Sequence, residues 1–321
     1  MNDAFEFRPG VDLGSAKDDA CDFRLGVDLG GTKTEIIALT HEGNELLRER
    51  VETPAKSYDD IVSTITQLVL DAESRLGGSG SVGIAMPGAM SMTTGLVKNA
   101  NTTKLIGRPF DRDLSSSLRR PVRVDNDANC FAISEATDGS ARGQRVVFGV
   151  IIGTGTGGGI VIDAKPLMGR NRIAGEWGHN PMPWPKPNEL PGPSCYCGKF
   201  GCIETFLSGP GMVRCHAGRG GQDTSPRAIV KAAQTGDQRA IETLQRYYDR
   251  LARCLTTVIN LLDPDMIVLG GGMSNLPGLY DQVPKLWKSL VFSDDTTTPL
   301  AAPKHGDSSG VRGAAWLWPA R

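Results

Sequence analysis

The sequence predicts an α/β protein of two lobes with a central cleft, and three observations carry that expectation. Val27-Asp28-Leu29-Gly30-Gly31-Thr32-Lys33 is an apolar run ending in glycines and a hydroxyl residue, and Ile151-Ile152-Gly153-Thr154-Gly155-Thr156 answers it much later in the chain. A third glycine turn stands at Leu269-Gly270-Gly271-Gly272. Between these turns the apolar spacing alternates between strand and helix patterns. A strand that stops in bare glycines points N–H groups outward and lets a polyphosphate come close. Three such turns suggest one nucleotide gripped from several sides, at the carboxyl ends of strands where ligands of open α/β sheets sit.

The elements follow in order. Residues 1–23 read as an N-terminal extension in which Phe7-Arg8-Pro9-Gly10-Val11-Asp12-Leu13-Gly14 anticipates Phe23-Arg24-Leu25-Gly26-Val27-Asp28-Leu29-Gly30. Only the second copy runs on into Gly31-Thr32-Lys33-Thr34 and the apolar Ile36-Ile37-Ala38-Leu39, so only it can build a phosphate-facing hairpin; the first is expected to be disordered. Asp59 and Asp60 are placed to cap a helix with Ile61, Ile65, Leu68, Val69, Ala72 and Leu76 on one face, stopped by Gly77-Gly78. Val82 to Met86 reads as a buried strand ending at Pro87-Gly88, and Val122 to Val124 as a short strand running into Asn126-Asp127 and a new helix. Val146 to Ile152 opens a second unit of similar plan. Asp237 is placed to cap a long helix through Leu244, Leu251, Leu255 and Ile259 that Asp263-Pro264 ends, and Met266 to Leu269 feeds the last glycine turn. The expected lobes are 24–138 and 139–307.

A chain of 321 residues with 39% hydrophobic and 22% charged residues suits a globular protein with two cores. A net charge of −1 gives no electrostatic case for nucleic acid or an anionic membrane as partner. No apolar run approaches the roughly 20 residues a membrane helix needs, and the polar N-terminus is no secretory signal, so a cytoplasmic location is expected.

Together, Gly26 to Lys33, Asn126-Asp127-Ala128-Asn129, Gly175-Glu176-Trp177-Gly178-His179 and Cys195-Tyr196-Cys197-Gly198-Lys199-Phe200-Gly201-Cys202-Ile203-Glu204 resemble the ROK family (repressors, uncharacterised frames and sugar kinases) from about residue 24 to the end. The resemblance implies the actin-like ATPase (ribonuclease H-like) fold of sugar kinases, with a C-terminal helix at 308–321 packing back on the first lobe, and a homodimer. Val97 to Asn101, Asn180, Trp184 and the segment Gly306 to Trp318 resemble bacterial fructokinases of the manno(fructo)kinase type in particular.

Phosphoryl transfer from ATP to a sugar hydroxyl needs a phosphate cradle, a divalent cation and a base. Gly30, Gly31, Thr32 and Lys33 are candidates for the cradle, with Gly153, Thr154 and Gly155; Gly271 and Gly272 are candidates for passing the adenosine. Asp28, ending the first strand beside the loop, is placed to orient Mg²⁺ through its water shell; alone it would read as a turn-initiating Asp. Asp127 is the candidate general base. Either Asn126 or Asp127 alone would read as a helix cap, but the family pattern sets Asp127 against the acceptor hydroxyl and Asn126 against its neighbour. By resemblance Glu176, His179 and Glu204 bind the sugar, with Gly88 and Asn101 as further contacts.

Seven cysteines are present, and Cys195, Cys197 and Cys202 crowd together with glycines that let the backbone turn between them. With His179 they compose the Cys₃His set of structural Zn²⁺. A disulfide is the competing reading, but Cys195 and Cys197 are too close in sequence for a relaxed bridge. One ring nitrogen of His179 would ligate zinc while the other meets the sugar. Cys21, Cys130, Cys215 and Cys254 show no such spacing.

The leading functional expectation is an ATP-dependent hexose kinase that converts D-fructose to fructose 6-phosphate and tolerates mannose. An N-acetylglucosamine kinase of the same family is the alternative, since it shares every motif that carries the chemistry. A sugar-responsive transcriptional regulator needs a helix-turn-helix ahead of the sugar-binding part, and the residues before Gly26 are too few and too polar to form one.

Overall fold

Two sheets of matching plan face a layer of two helices. A computed structural model describes residues 21–54, 56–100, 102–306 and 309–318. The first sheet holds β1 (Phe23–Leu29), β2 (Lys33–Leu39), β3 (Glu45–Glu52), β4 (Gly80–Met86) and β7 (Val122–Asn126) in the order β3-β2-β1-β4-β7. A small hairpin, β5 (Ala89–Met90) and β6 (Val97–Lys98), rises after β4. The second sheet holds β8 (Val146–Ile152), β9 (Thr156–Ile162), β10 (Lys165–Pro166), β11 (Met266–Gly270) and β12 (Leu300–Ala301) in the order β10-β9-β8-β11-β12. In each sheet the strand that ends in a glycine turn pairs antiparallel with the next strand and parallel with a later one. This is the α/β arrangement expected of a sugar kinase, and it sends the carboxyl ends of β1, β4 and β8 to one place.

The outer faces carry the larger cores. In β1, Leu25, Val27 and Leu29 are buried against α1 (Tyr58–Leu76) and α2 (Phe110–Leu118), through Ile61, Ile65, Val69 and Leu114. The strand period of two then turns Arg24, Gly26 and Asp28 to the opposite face. On the second sheet, Val150 and Ile152 pack with Leu251, Leu255 and Ile259 of α7 (Gln238–Leu262). Asp237 caps α7 as expected, accepting from Ala240 N at 2.8 Å, and Asp263 closes it in the left-handed region. For α1 the cap differs from expectation. Ser57 is the N-cap, its hydroxyl accepting from Asp60 N at 3.1 Å, while Asp59 and Asp60 stand in the first turn, where their charge favours the helix N-terminus. The remaining helices, α4 (Ile203–Leu207), α5 (Gly209–Ala217), α6 (Pro226–Gln234) and α8 (Leu279–Trp287), complete the second unit.

Between the sheets lie α3 (Asp127–Thr137) and α9 (Ser309–Ala315). Glycines let them approach closely. A Cβ on Gly26 of β1 would overlap the carbonyl oxygen of Val311, one on Gly83 of β4 that of Ala314, and one on Gly313 of α9 that of Cys130 in α3. The residues after α9 are then pinned. Trp318 Nε1 donates to Val82 O at 2.8 Å, Arg24 Nη1 to Trp318 O at 2.7 Å and Arg123 Nη1 to Leu317 O at 2.7 Å, with Arg123 stacked 4.3 Å from the Trp318 ring. The C-terminal helix thus rests on the first sheet. The first copy of the duplicated segment lies outside the described residues, as do 307–308 and 319–321. Phe23 already belongs to β1, and Asp22 pairs with Ser79 through its backbone N–H at 2.7 Å, both ahead of the expected boundary at 24. No helix among the described residues is long and apolar enough to cross a membrane.

Because backbone cannot yield to an inserted methyl as a flexible side chain does, Gly313→Ala is expected to cost about 3 kcal/mol or more in chemical denaturation. Gly31→Ala, whose Cβ would meet nothing within 4 Å, serves as the control and should change stability little.

Candidate active site

The converging strand ends enclose a cleft with two compartments that share Pro87, Asp127 and Ile151. The larger, about 580 Å³, is lined by Gly88, Asn99, Asn126, Gly153, Thr154, Gly155, Glu176, His179, Tyr196 and Glu204. The smaller, about 390 Å³, is lined by Asp28, Gly30, Gly31, Thr102, Gly271, Gly306 and Gly310. One side is sized and furnished for a polyol, the other for phosphates against bare backbone. Asp127 stands where they meet.

Local structure explains how Asp127 is left available. Asn126 ends β7 and is the N-cap of α3; its Oδ1 accepts from Ala128 N at 2.9 Å and its Nδ2 donates to Gly88 O at 3.1 Å. The capping duty therefore falls to Asn126, and Asp127 opens the helix. Asp125 braces the pair from behind, accepting from Asn126 N at 2.7 Å and Asn129 Nδ2 at 3.0 Å. Burial pushes the Asp127 carboxyl up to about 6, and the Glu176 carboxylate adds to the rise while the Ala128 N–H and Asn126 oppose it. Asp28 is pushed up to about 7, first by burial, then by the charges of Asp127 and Glu35. Carboxylates that repel one another beside a glycine-walled recess suit a divalent cation, so Asp28 fits the role of holding Mg²⁺, directly or through water.

Glu204, in the first turn of α4, reaches across to the second glycine hairpin and accepts from Thr156 N at 3.0 Å. Gly155 must be bare there, since a Cβ would come within 2.6 Å of Glu204 Oε2. The same hairpin is closed by Gly153 N donating to Gly155 O at 2.9 Å.

The ligand atoms of His179, Cys195, Cys197 and Cys202 all lie within 4.8 Å of one another. Cys195 Sγ is 3.6 Å from His179 Nδ1, and Cys197 Sγ is 3.6 Å from Cys202 Sγ. Tetrahedral bonds to zinc of about 2.3 Å for sulfur and 2.0–2.1 Å for nitrogen require separations of about 3.8 Å for S···S and about 3.6 Å for S···N. These two pairs stand close to the spacing the ion requires, and the donor set is that of a zinc site. A disulfide has S–S about 2.05 Å, and all three cysteines are free thiols. Gly198 at φ +85° and Gly201 at φ +70° make the turns that bring the thiols together.

The expected residues are not all where the sequence suggested. Gly153, Thr154 and Gly155 line the larger compartment rather than the recess around Asp28. Thr32 and Lys33 stand in the first hairpin without lining either compartment, because their carbonyls close the turn, Lys33 O accepting from Gly30 N at 3.0 Å and Thr32 O from Thr53 N at 2.9 Å. Gly271 lines the recess and Gly272 does not. Asn101 lies outside the described residues; Asn99, two positions earlier, lines the cleft instead, in a left-handed conformation (φ 57°) that Asn tolerates better than most residues. Asn99, Thr156 and Tyr196 stand inside the motifs the sequence offered, but nothing in those patterns singled them out as contacts. The second nitrogen of His179, expected to meet sugar, sits 2.9 Å from Tyr196 Oη.

Of the residues behind the fructokinase likeness, Asn99, Gly306 and Gly310 line the cleft, but Asn180, Trp184 and Trp318 do not. Trp318 anchors the C-terminal segment, Trp184 is half-exposed with its carbonyl accepting from Arg253, and the Asn180 carbonyl accepts from Ile203 N.

A two-sheet α/β body with glycine hairpins on one flank of a carboxylate and a polar cleft on the other is the architecture of an ATP-dependent sugar kinase of the actin-like class. The chain belongs to the ROK family, whose pattern matches residues 24–321. It is 40% identical over 289 residues to an N-acetyl-D-glucosamine kinase of Pectobacterium atrosepticum, covering 89% of this chain and 95% of that one. Among solved structures it resembles a ROK hexokinase from Thermus thermophilus (TM-score 0.81, 27% identity, 91% of this chain and 96% of that one). A ROK glucokinase from Streptomyces griseus, solved with glucose and AMPPNP, superposes with a TM-score of 0.74 at 28% identity, covering 92% of this chain and 98% of that one.

The raised Asp28 carboxyl has a consequence for stability. Its folded value of about 7 lies above the ordinary carboxyl value of 3.8, so the folded protein holds the proton more tightly and loses stability as pH rises between those values. In magnesium-free buffer Asp28→Asn should raise the melting temperature at pH 8, by an amount equivalent to a few kcal/mol. It should also flatten the fall in melting temperature between pH 5 and 8. An unchanged slope would show that Asp28 titrates normally.

Proposed function

We propose that the protein phosphorylates N-acetyl-D-glucosamine with ATP, using Asp127 as the general base. The observation that carries this reading is the position of Asp127, at the one point shared by the polar cleft and the phosphate-facing recess. The substrate follows from the relative that matches nearly end to end and bears that activity in its name. The fructose reading is set aside, since the Asn180, Trp184 and Trp318 on which it rested serve packing and backbone bonding.

The acceptor sugar binds among Asn99, Asn126, Glu176 and Glu204, with one hydroxyl against Asp127. The carboxylate takes the hydroxyl proton as the oxygen attacks the terminal phosphorus in line with the departing ADP oxygen. Asn126, tied to Gly88 and to the start of α3, holds the attacking oxygen's neighbour in place. The bare Gly30-Gly31 turn lets the phosphate oxygens approach the backbone, the Gly153–Gly155 turn facing them from the larger compartment, and bound magnesium, held by Asp28, would offset their charge. The cysteine cluster would hold zinc as a structural ion that keeps His179 and Glu204 in position and takes no part in the transfer.

A coupled assay of ATP consumption across N-acetylglucosamine, glucose, mannose and fructose tests the substrate. N-acetylglucosamine should give the highest kcat/KM, and a preference for fructose by an order of magnitude would return the assignment to a fructokinase.

Asp127→Asn preserves size and helix compatibility but cannot take a proton. Turnover should fall by roughly 10²–10⁴-fold while sugar and ATP dissociation constants change little. Because Asn126 is the cap, the variant should remain folded, and near-normal turnover would rule out the base. In the wild-type enzyme kcat/KM should decline as pH falls through about 6, where Asp127 becomes protonated.

Elemental analysis of protein purified without chelators should find about one zinc per chain, as a closed four-ligand site requires. Cys197→Ser should lower zinc content and melting temperature together and weaken sugar binding more than ATP binding.

A further inference from the structure

We infer that Tyr196 recognises the sugar: its hydroxyl, oriented by His179, donates a hydrogen bond to a neutral oxygen of the acceptor. This deepens the sugar-kinase reading and rests on it. Tyr196 stands between two members of the cysteine cluster, on a turn closed by Gly198 N donating to Cys195 O at 3.0 Å. Its side chain is 75% exposed, so burial gives it no packing duty, yet it lines the larger compartment with Glu176, His179 and Glu204. The ring meets His179 edge to face, with centroids 5.1 Å apart and planes at 89°. An exposed phenol held in one orientation at the mouth of a polar cleft is placed to touch what enters.

The hydrogen-bond polarity follows from the histidine. Nδ1 faces Cys195 Sγ at 3.6 Å, on the side of the cysteine cluster, and Nε2 lies 2.9 Å from Tyr196 Oη. With the Nδ1 lone pair turned to the cluster, the ring hydrogen sits on Nε2 and donates to the phenolic oxygen. The tyrosine keeps its own O–H for a further acceptor. A sugar supplies suitable acceptors, either ring hydroxyl oxygens or the carbonyl of a pendant acetamide.

Tyr196→Phe keeps the ring and its contact with His179 and removes only the hydroxyl. Calorimetry should show the dissociation constant for N-acetylglucosamine rising about fivefold to tenfold, the worth of one hydrogen bond. ATP affinity, zinc content and melting temperature should stay unchanged, and KM should move more than kcat. An equal loss for glucose would place the bond on a ring hydroxyl, and a loss confined to N-acetylglucosamine would place it on the acetamide; both support the inference. Sugar affinity within twofold of wild type, or a variant that has lost zinc, would overturn it, the second by showing that the phenol serves the cysteine loop. Wild-type protein that binds and phosphorylates no sugar would instead defeat the sugar-kinase reading itself.

Discussion

Backbone-to-backbone contact between the C-terminal helix and the first sheet is the constraint on which the rest of the molecule depends. Gly26, Gly83 and Gly313 each stand where a single methyl would strike a carbonyl oxygen. Without side chains between them, α9 settles directly onto β1 and β4 and brings α3 against its other side. Asp28 lies two residues beyond Gly26 on the same face of β1, and Gly310 approaches its carboxylate so closely that a Cβ would stand 3.0 Å from Oδ2. The approach that seals the helix layer therefore also limits the water around Asp28, which stays half-buried at the edge of the recess. Ion pairs and hydrogen bonds reinforce the same layer. Arg312 bonds Asp138 and the Gly43 carbonyl, and buried Glu135 accepts from Ser309 Oγ at 2.7 Å and Ser140 N at 2.8 Å.

The electrostatics of the cleft follow from that packing. Asp28 and Asp127 leave different strands of one sheet and meet under the same helix layer, and burial dominates the rise in both carboxyls. Their roles still diverge. On the proposed reading Asp28, among glycines, would serve a cation, whereas Asp127, at the junction of the two compartments, would serve a proton. Two acids of one type acquire two uses because their surroundings differ.

The cysteine loop couples separate parts of the cleft. Cys202 N-caps α4, Glu204 follows in its first turn, and that carboxylate grips Thr156 N in the second glycine hairpin. Cys195 and Cys197 flank Tyr196, which holds His179. The loop thus reaches the larger compartment through Tyr196 and His179 and the second glycine hairpin through Glu204. A metal ion gathering these thiols would stiffen both connections at once.

Much of this was legible in the sequence. The glycine turns, the alternation of strand and helix, the Asn126-Asp127 pair and the Cys₃His cluster are local patterns, and local patterns constrain backbone conformation and donor chemistry within a few residues. They sufficed for the family, the fold class and the gathering of His179 with the three cysteines. The tertiary structure alone decided which candidates share a cavity. It passed the α1 cap from Asp59 and Asp60 to Ser57, gave the α3 cap to Asn126, took Thr32 and Lys33 out of the lining and brought Asn99 and Tyr196 in. It also turned the tryptophans that suggested fructose into packing and surface residues. The reason is physical: a cavity forms where strand ends from distant parts of the chain converge, and no local pattern records which side chains will face each other across it.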